Sequence, residues 1–580
     1  MLILATQPLS NMKASFLYTF PLVLLSMACF SQRSATSVPV NPYEYTIQKK
    51  ITGSTGAVVS AHPLASEIGI AIMKQGGNAI DATIATQLAL AVVYPAAGNI
   101  GGGGFTVIRL ANGTNVTIDY REKAPAKAYR DMYLDKQGNA QTELSQNGHL
   151  SSGVPGTIAG LFDCMKYAKL PFKKLIQPAI DLAEKGFAIT EGEARSLNSY
   201  AALFTKYNTV TPVFVKPTTW KAGDTLVQHD LANTLKRIRD KGRAGFYEGE
   251  TARLIVEEMK RANGIISYED LKNYEAKERE PVVFDYKTYT IITMPLPSSG
   301  GVLLPQMMHM IEDKPVKEYG FLSAQAVQLM TEIERRAYAD RAKFLGDVDF
   351  FKVPVKKLTS KAYAAERMKD YNPQTAGTSV AIQAGIIPES EETTHFTVCD
   401  KNGNAVSVTT TLNGGYGSKT VVGGGGFFLN NEMDDFSIKP GVPNMYGAVG
   451  ADANAIAPGK RMLSSMTPTI VLKNNKPYVV VGTPGGTTIT TSVFQTLVDI
   501  LEFDMSTDDA VNKPKFHHQW LPDQIDVEAA FPQAVRQQLQ QMGYKVIQRG
   551  SIGRTEVIKM ENGHIEAVAD GRGDDAAAGY

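Results

Sequence analysis

Residues 391–413, EETTHFTVCDKNGNAVSVTTTLN, have the alternating pattern of a two-stranded β-hairpin. Polar and apolar residues alternate on both sides of the turn sequence KNG, where Asn and Gly tolerate the backbone conformations that a tight turn needs. A turn centred on Asn402 pairs Thr393 with Thr411 across the two strands. Since neighbouring strand residues point to opposite faces, a slip of one residue would exchange those faces.

The two faces of this hairpin differ in chemistry. One carries Thr393, His395, Thr397, Ser407, Thr409 and Thr411, and the other carries Phe396, Val398, Val406 and Val408. Spacing alone favours an ordinary strand with its polar face in water, because threonine fits strands well. That explanation does not say why the first strand opens on two threonines directly after two glutamates.

The rest of the chain alternates helix and strand signals. GAVVSAH predicts a strand, PLASEIGIAIMKQGG and the almost wholly apolar NAIDATIATQLALAVVYP predict helices, and GFTVIRLANGTNVTIDYRE predicts a hairpin. Residues 155–380 are predicted to be mainly helical, with irregular breaks near 211–218 and 294–305. Later strands are predicted in GGFFLNN, PTIVLKNNKPYVVVGTP and YKVIQRG…EVIKMENGHIEAVA, with helices at 487–503 and 532–542. Strands near both ends with helices around them predict a layered α+β sandwich.

The N-terminus has the pattern of an export signal. Lys13 precedes an apolar run, residues 16–27, that is too short to span a membrane and has the length of a signal-peptide core. Residues 1–28 are therefore predicted to be a signal peptide, with Met12 as an alternative start, and residues 29–50 are predicted to be a linker.

The sequence LSMAC at the end of this signal resembles a relaxed bacterial lipobox. It would make Cys29 the site of lipidation, and simple export with cleavage near Ala28 or Ser34 is the alternative. The chain is expected to leave a bacterial cytoplasm, as a periplasmic protein or as a membrane-anchored lipoprotein.

Charge and cysteine content argue against several classes of protein. The 59 Lys and Arg residues balance 58 Asp and Glu residues with no basic run, which excludes a nucleic-acid partner. Cys164 and Cys399 are expected to be buried thiols. The eight histidines show no metal-ligand spacing, so no metal site is predicted. The glycine runs at 98–105 and 421–428 each lead into a predicted strand rather than a helix, which argues against a phosphate loop.

Several ordered segments resemble one known family. They are QGGNAIDATIAT, GGGGF, DYREKAPAKA, TTHFTVCDKNGNAVSVTTTLNGGYG, LNNEMDDF, KPGVPNMYG, KRMLSSMTPTIV and VGTPGGTTI, and the likeness runs from about residue 50 to the C-terminal AGY. Together they resemble the gamma-glutamyltransferases (glutathione hydrolase proenzymes), which are N-terminal nucleophile hydrolases. The resemblance implies a four-layer αββα sandwich, cut into a large subunit, 51–392, and a small subunit, 393–580, that stay together as a heterodimer.

The resemblance also explains why the strand opens on a hydroxyl. Thr393 is implied to attack the carbonyl of Glu392, so that hydrolysis of the resulting ester leaves Thr393 with a free α-amine. A threonine hydroxyl is a weak nucleophile until a base takes its proton, and an α-amine has a reference pKa near 8 that suits this task.

The remaining roles are likewise implied by the resemblance. The substrate α-carboxylate would be held by Arg121, Ser464 and Ser465, and the α-ammonium would be held by Asn413, Glu432 and Asp435. Thr411 would hydrogen-bond Thr393, and Gly485 and Gly486 would form the oxyanion hole. Tyr446 would close a lid loop, 439–450. Without the resemblance, Arg121 would be assigned to a pair with Glu122, the acidic segment to a solvated loop, and the two glycines to a turn without a ligand.

The implied reaction is a ping-pong acyl transfer without a cofactor. The γ-glutamyl group of glutathione or a similar compound would pass to Thr393, and then to water or to an amino acid or dipeptide acceptor. A cephalosporin acylase and a poly-γ-glutamate transpeptidase are alternatives within the superfamily. A non-catalytic surface-anchored binding protein is the alternative from another class.

Overall fold

The computed structural model describes residues 40–379 and 393–580. The predicted signal peptide with Cys29, most of the predicted linker and the predicted cleavage residue Glu392 lie outside the described residues. The α+β prediction is confirmed, since helices and antiparallel strands are mixed along the chain.

The described strands, in chain order, are β1 (Lys50–Gly53), β2 (Gly56–Ser60), β3 (Gly103–Arg109), β4 (Asn115–Asp119), β5 (Phe187–Ala188), β6 (Thr225–Leu226), β7 (Lys277–Arg279), β8 (Val282–Tyr286), β9 (Tyr289–Thr293), β10 (Thr393–Asp400), β11 (Ala405–Thr411), β12 (Thr469–Lys473), β13 (Lys476–Gly482), β14 (Phe516–His517), β15 (Ile525–Val527), β16 (Val546–Gln548), β17 (Glu556–Glu561), β18 (His564–Val568) and β19 (Ala576–Gly579). The described helices are α1 (Pro63–Lys74), α2 (Ala79–Val93), α3 (Thr142–Gln146), α4 (Thr157–Cys164), α5 (Phe172–Lys185), α6 (Glu191–Tyr207), α7 (His229–Lys241), α8 (Ala244–Tyr247), α9 (Gly249–Arg261), α10 (Tyr268–Lys272), α11 (Gly300–Ile311), α12 (Val316–Tyr319), α13 (Ala324–Phe344), α14 (Val355–Leu358), α15 (Lys361–Arg367), α16 (Thr488–Leu501), α17 (Thr507–Asn512) and α18 (Gln533–Gln541).

Two seven-stranded sheets form the centre of the molecule. The first has the strand order β1-β18-β17-β13-β12-β9-β8, and the second has the order β19-β2-β10-β11-β3-β4-β7. Apolar side chains from the facing sides of both sheets, such as Val59, Phe105 and Ile470, form one buried cluster between them. The outer face of the second sheet packs on α1, α2 and α4, with α5 against α2 and α7 against α5. The outer face of the first sheet packs on α11 and α16, with α13 against α11. This arrangement is the four-layer αββα sandwich.

Helix α2 is buried on every side because it lies between the second sheet and the outer helices. Its start is fixed by a capping box, in which the Asn78 side chain accepts from the backbone N–H of Asp81 and the Asp81 side chain accepts from the N–H of Asn78. Both predicted N-terminal helices are confirmed. Within the described residues, no helix is long and apolar enough to cross a membrane.

The predicted register of the 391–413 hairpin is confirmed, since Thr393 pairs with Thr411 and Val398 with Val406. The solvent-exposed alternative is wrong, because every residue of β10 and β11 is buried. The apolar face packs on the helices, and the hydroxyl face points toward the other sheet, where Ser407 donates to the carbonyl of Val481 at 3.1 Å. The polar face is therefore buried between the two sheets.

Two local predictions are wrong and one is incomplete. Residues 155–380 are mainly helical as predicted, but the region also contains β7, β8 and β9, of which β7 and β8 are edge strands of the two large sheets. Helix α11 includes Pro305 in a segment predicted to be irregular, and its buried apolar neighbours offset the lost helical hydrogen bond. GGFFLNN forms only an isolated bridge from Phe428 to Val421, because Gly424 and Gly426 have positive φ angles of 72° and 76° that a regular strand does not allow.

Candidate active site

The hydroxyl end of the hairpin opens into a small pocket. Its lining comprises Arg121, Arg341, Thr393, Thr411, Asn413, Asp435, Asn444, Tyr446, Ser464, Ser465, Met466, Gly486, Thr487 and Ile489. Most residues singled out from the sequence therefore meet in one place. Gly485 and Glu432 are not part of this lining, although both adjoin residues that are.

Thr393 is the first residue of β10, a strand held on both sides by β2 and β11. Its side chain is almost fully buried, as is that of Thr411 on the paired strand. The predicted hydrogen bond between the two hydroxyls is not formed among the described residues. The Thr411 hydroxyl instead accepts from the backbone N–H of Asn413 at 2.7 Å.

Arg121 follows strand β4 and is surrounded by carboxylates. It forms an ion pair of 2.5 Å with Glu432, donates a hydrogen bond to Asp435, and has Glu122 at 3.5 Å. Burial lowers the pKa of Arg121, but these three carboxylates outweigh it and raise the pKa above its usual value. The pairing with Glu122 expected in the alternative interpretation is thus present, as one of three.

Glu432 is not part of the pocket lining, and its carboxylate pairs with Arg121, which is; its binding of an ammonium group stays a prediction. Burial raises the pKa of Glu432 well above its usual value, despite the attraction of Arg121. Asp435 keeps its place in the pocket lining, where Asn444 donates to its second oxygen at 2.9 Å.

The two serines precede strand β12. Ser464 is fixed through its backbone, which donates to the carbonyl of Pro297 at 2.8 Å and accepts from the N–H of Ser299 at 2.7 Å. The Ser465 hydroxyl accepts from Arg341 at 3.2 Å. Both serines therefore reach the pocket from a segment whose backbone is held in place.

Gly485 and Gly486 form the turn between strand β13 and helix α16, with positive φ angles of 135° and 54°. A Cβ on Gly486 would lie 2.3 Å from Cδ1 of Tyr446, so the tyrosine ring covers this turn closely. Among the described residues, neither glycine N–H has a hydrogen-bond acceptor. Two donors at the start of a helix can serve a developing oxyanion.

The loop 439–450 covers the pocket. The Tyr446 hydroxyl donates to the carbonyl of Asn413, and the N–H of Met445 donates to Asp434 at 2.8 Å. Burial raises the pKa of Asp434 to about 6. The loop is thus fixed to the same acidic segment that contributes Asp435.

Residues 65–580 match the family model described as Gamma-glutamyltranspeptidase. The chain belongs to the gamma-glutamyltranspeptidase family. It is therefore an enzyme of this family, as the resemblance implied.

Three similar proteins illustrate the range of this gamma-glutamyltranspeptidase family. The glutathione hydrolase proenzyme of Escherichia coli strain K12 is 45% identical over 568 residues, which cover 96% of this chain and 98% of that protein. The structure of a gamma-glutamyltranspeptidase from Helicobacter pylori has a TM-score of 0.54 and 45% identity, and covers 58% of this chain and 95% of its own. A cephalosporin acylase structure from Bacillus halodurans has a TM-score of 0.81 and 25% identity, and covers 93% of this chain and 98% of its own.

Five pocket residues of this chain are not predicted from the sequence, namely Arg341, Asn444, Met466, Thr487 and Ile489. Asn444 lies inside the predicted lid loop and could have been suggested by its place beside Tyr446. Arg341 belongs to α13, a helix with several arginines, and no motif distinguishes it from the others.

Proposed function

We propose that this enzyme is a self-processing glutathione hydrolase that also transfers γ-glutamyl groups. One observation carries the proposal: Thr393 opens strand β10 at a pocket that also contains Arg121, Asp435 and the two serines. A cationic and an anionic group beside a nucleophile suit a substrate with an amino-acid head group.

Processing needs only the chain itself and water. The Thr393 hydroxyl adds to the carbonyl carbon of Glu392, the C–N bond breaks, and the acyl group moves from nitrogen to oxygen. This shift frees the Thr393 α-amine. Water then hydrolyses the ester, which frees the Glu392 carboxylate and regenerates the Thr393 hydroxyl. The two fragments are proposed to remain together as a heterodimer, because both contribute strands to both sheets.

Catalysis would reuse the same hydroxyl. The α-amine takes its proton while the oxygen attacks the γ-carbonyl of the donor, and the N–H groups of Gly485 and Gly486 stabilise the oxyanion. The amine of the donor's leaving group departs with that proton, and a γ-glutamyl ester remains on Thr393. Water or an acceptor amine then attacks this ester and regenerates the hydroxyl. No cofactor takes part in either half-reaction.

Substrate recognition is proposed to divide between two sides of the pocket. Arg121 and the serines would face the α-carboxylate, and Asn413 with Asp435 would face the α-ammonium. The position of Glu432 supports an indirect role, in which its charge tunes Arg121 and Asp435 rather than touching the substrate.

An acylase is the second candidate, since a cephalosporin acylase shares the fold over 93% of this chain. A glutaryl group lacks the α-ammonium that Asp435 is proposed to bind. We therefore expect hydrolysis of a γ-glutamyl anilide to exceed that of the matching glutaryl anilide. The reverse preference would establish the acylase.

The test of the proposed function is direct. The purified protein should contain two fragments, the smaller should begin with Thr393 by N-terminal sequencing, and it should hydrolyse glutathione. A single uncleaved chain without activity on any γ-glutamyl amide would contradict the proposal.

Export is proposed from the sequence, through the signal at residues 1–28 with lipid attachment at Cys29. In a bacterial host, Cys29→Ser should move the enzyme from the membrane fraction to the soluble periplasmic fraction. An unchanged distribution would leave simple export and rule out the lipid anchor.

A further inference from the structure

Arg341 lies in the wall of the pocket and has no carboxylate partner among the described residues. Arg341 is buried, with only 8% of its surface exposed. Its Nε donates to the Ser299 hydroxyl at 3.4 Å and its Nη2 donates to the Ser465 hydroxyl at 3.2 Å. These two neutral contacts leave the positive charge of Arg341 without a direct counter-charge.

Other buried arginines of helix α13 are compensated. Arg335 pairs with Glu332 and Asp523, and Arg336 pairs with Glu332 and Asp370. A buried charge without a partner is costly, and proteins keep such groups mainly where they have a function. Burial is the largest influence on the pKa of Arg341 and lowers it, and the positive charge of Arg121 adds to that effect. Tyr338 and Asp435 act in the opposite direction but do not outweigh burial.

Arg121 is in the opposite situation. Its guanidinium already contacts Glu432, Asp435 and Glu122, so an incoming carboxylate would share Arg121 with three acidic side chains. Arg341 opens to the same pocket and shares a hydrogen bond with Ser465. An anion placed beside Ser465 would therefore gain most from Arg341.

We propose that Arg341 binds the α-carboxylate of the γ-glutamyl donor together with Ser465. This proposal rests on the proposed function and assigns a substrate-binding residue to that site. The donor would lie with its carboxylate toward Arg341 and its ammonium toward Asp435, which places opposite charges on opposite partners. Arg341 would thereby select donors that keep a free α-carboxylate.

Paired donors test this role. The parent, Arg341→Gln and Arg341→Lys are assayed with a γ-glutamyl anilide and with a 4-aminobutanoyl anilide, which lacks the α-carboxylate. For Arg341→Gln we expect kcat/KM on the γ-glutamyl donor to fall by roughly 30-fold or more, by analogy with truncated buried charge pairs. The 4-aminobutanoyl donor should show little change. Lysine should restore part of the selectivity, because it keeps the charge but not the fork.

Glutathione distinguishes a role at the other end of the substrate, because its leaving group carries a second carboxylate. A loss on glutathione without a loss on the γ-glutamyl anilide would place Arg341 at the leaving group and overturn the proposal. Equal losses on all donors would reassign Arg341 to a structural role and would also overturn it. A parent enzyme inactive on every γ-glutamyl donor would instead contradict the proposed function.

The control is Arg336→Gln, which removes a buried arginine of the same helix whose partners are carboxylates. Its ratio of activities on the two anilides should equal that of the parent. Inhibition provides a second measurement that needs no turnover of a poor donor. L-glutamate should lose its advantage over 4-aminobutanoate as a competitive inhibitor in Arg341→Gln and, in part, in Arg341→Lys. An unchanged advantage in either variant would overturn the proposal.

Discussion

Thr393 is buried and pairs with Thr411 of β11, and β2 holds the other side of the same strand from Phe396 onward, so the backbone of Thr393 is held in place. Thr393→Ala should therefore remain one polypeptide and be inactive, because no hydroxyl is left to attack Glu392. Thr393→Ser should cleave slowly and keep some turnover, since serine lacks the methyl group that restricts the rotamer. Denaturing gels and a γ-glutamyl anilide assay measure both effects.

Thr394 provides the matched control for this residue. Its buried hydroxyl has no hydrogen-bond partner among the described residues and lies one position further along the same strand. Thr394→Val keeps the shape of the side chain and should cleave as the parent does. Two fragments from Thr393→Ala would disprove self-cleavage by this hydroxyl.

Arg121 contacts three buried acidic side chains, so its loss should affect the electrostatics of the whole pocket. Arg121→Ala should lower kcat/KM for a γ-glutamyl anilide by an amount equivalent to about 2–5 kcal/mol of transition-state binding, the usual cost of leaving a buried charge unpaired. Arg121→Lys should recover only part, because an ammonium cannot contact several carboxylates as a guanidinium does. Kinetics equal to those of the parent in the alanine variant would make Arg121 a purely structural residue.

At the scale of elements, the turn between β13 and α16 gives the sharpest expectation. Gly486→Ala would add a Cβ at a φ of 54° and 2.3 Å from the Tyr446 ring, so the turn or the ring must move. Loss of one hydrogen-bond donor to the oxyanion typically lowers kcat by about 10²- to 10³-fold. We therefore expect a loss of that size, measured with a γ-glutamyl anilide.

Gly459→Ala controls for backbone strain alone. Gly459 has a φ of 72°, and an added Cβ would meet nothing within 4 Å. Its cost should be limited to about 1–2 kcal/mol of stability, with kcat unchanged. If both variants lost kcat equally, strain rather than the position of the oxyanion turn would explain the effect.

The elements that could be predicted from the sequence are those with strong local patterns. The hairpin of β10 and β11 has strict alternation around an Asn-Gly turn, and α2 has its capping residue at Asn78. Strands β7–β9 are not predicted because they are short, and because β7 and β9 pair with strands that are distant in the sequence while β8, among the described strands, pairs with β9 alone. Sheet edges of this kind depend on contacts that local periodicity does not contain.

The functional site likewise has features that the sequence could predict and features that it could not. The resemblance supplied the residues with recognisable neighbours, such as Thr393, Ser464 and Gly486, and they line one pocket. It could not supply the pairing of Glu432 with Arg121 or the isolation of Arg341, because both depend on which carboxylates the fold brings near each guanidinium. Charge compensation is a property of the packed structure.

At the scale of the whole molecule, buried histidines should make stability depend on pH. Burial lowers the pKa of His395 and of His517 to about 3, so both are neutral in the folded protein. Between about pH 6.5 and 3 the unfolded chain binds more protons at these positions, and the free energy of unfolding should fall as the pH falls. Each histidine can contribute up to about 1.4 kcal/mol per pH unit.

Urea unfolding of the uncleaved Thr393→Ala chain at pH 7 and pH 5 measures this effect. Asp434 acts in the opposite direction, since its raised pKa of about 6 favours the folded state as the pH falls. The informative quantity is therefore the difference between chains. Adding His395→Gln should make the pH dependence shallower, and adding His564→Gln, at an exposed position on β18, should not. An identical slope in all three chains would contradict the prediction.

The strand orders of the two sheets have a consequence for how the molecule can refold before and after cleavage. In the second sheet β10 lies between β2 and β11, and in the first sheet β12 lies between β13 and β9, so segments from before and after residue 392 interleave. Before the cut, regaining this arrangement is a unimolecular search by one tethered chain. After the cut it becomes a bimolecular encounter, whose success depends on concentration and competes with aggregation. The peptide bond that is broken thus helps the two segments to assemble only during the first folding of the chain. After cleavage, the enzyme would keep its structure because its two fragments dissociate slowly, and not because they refold readily.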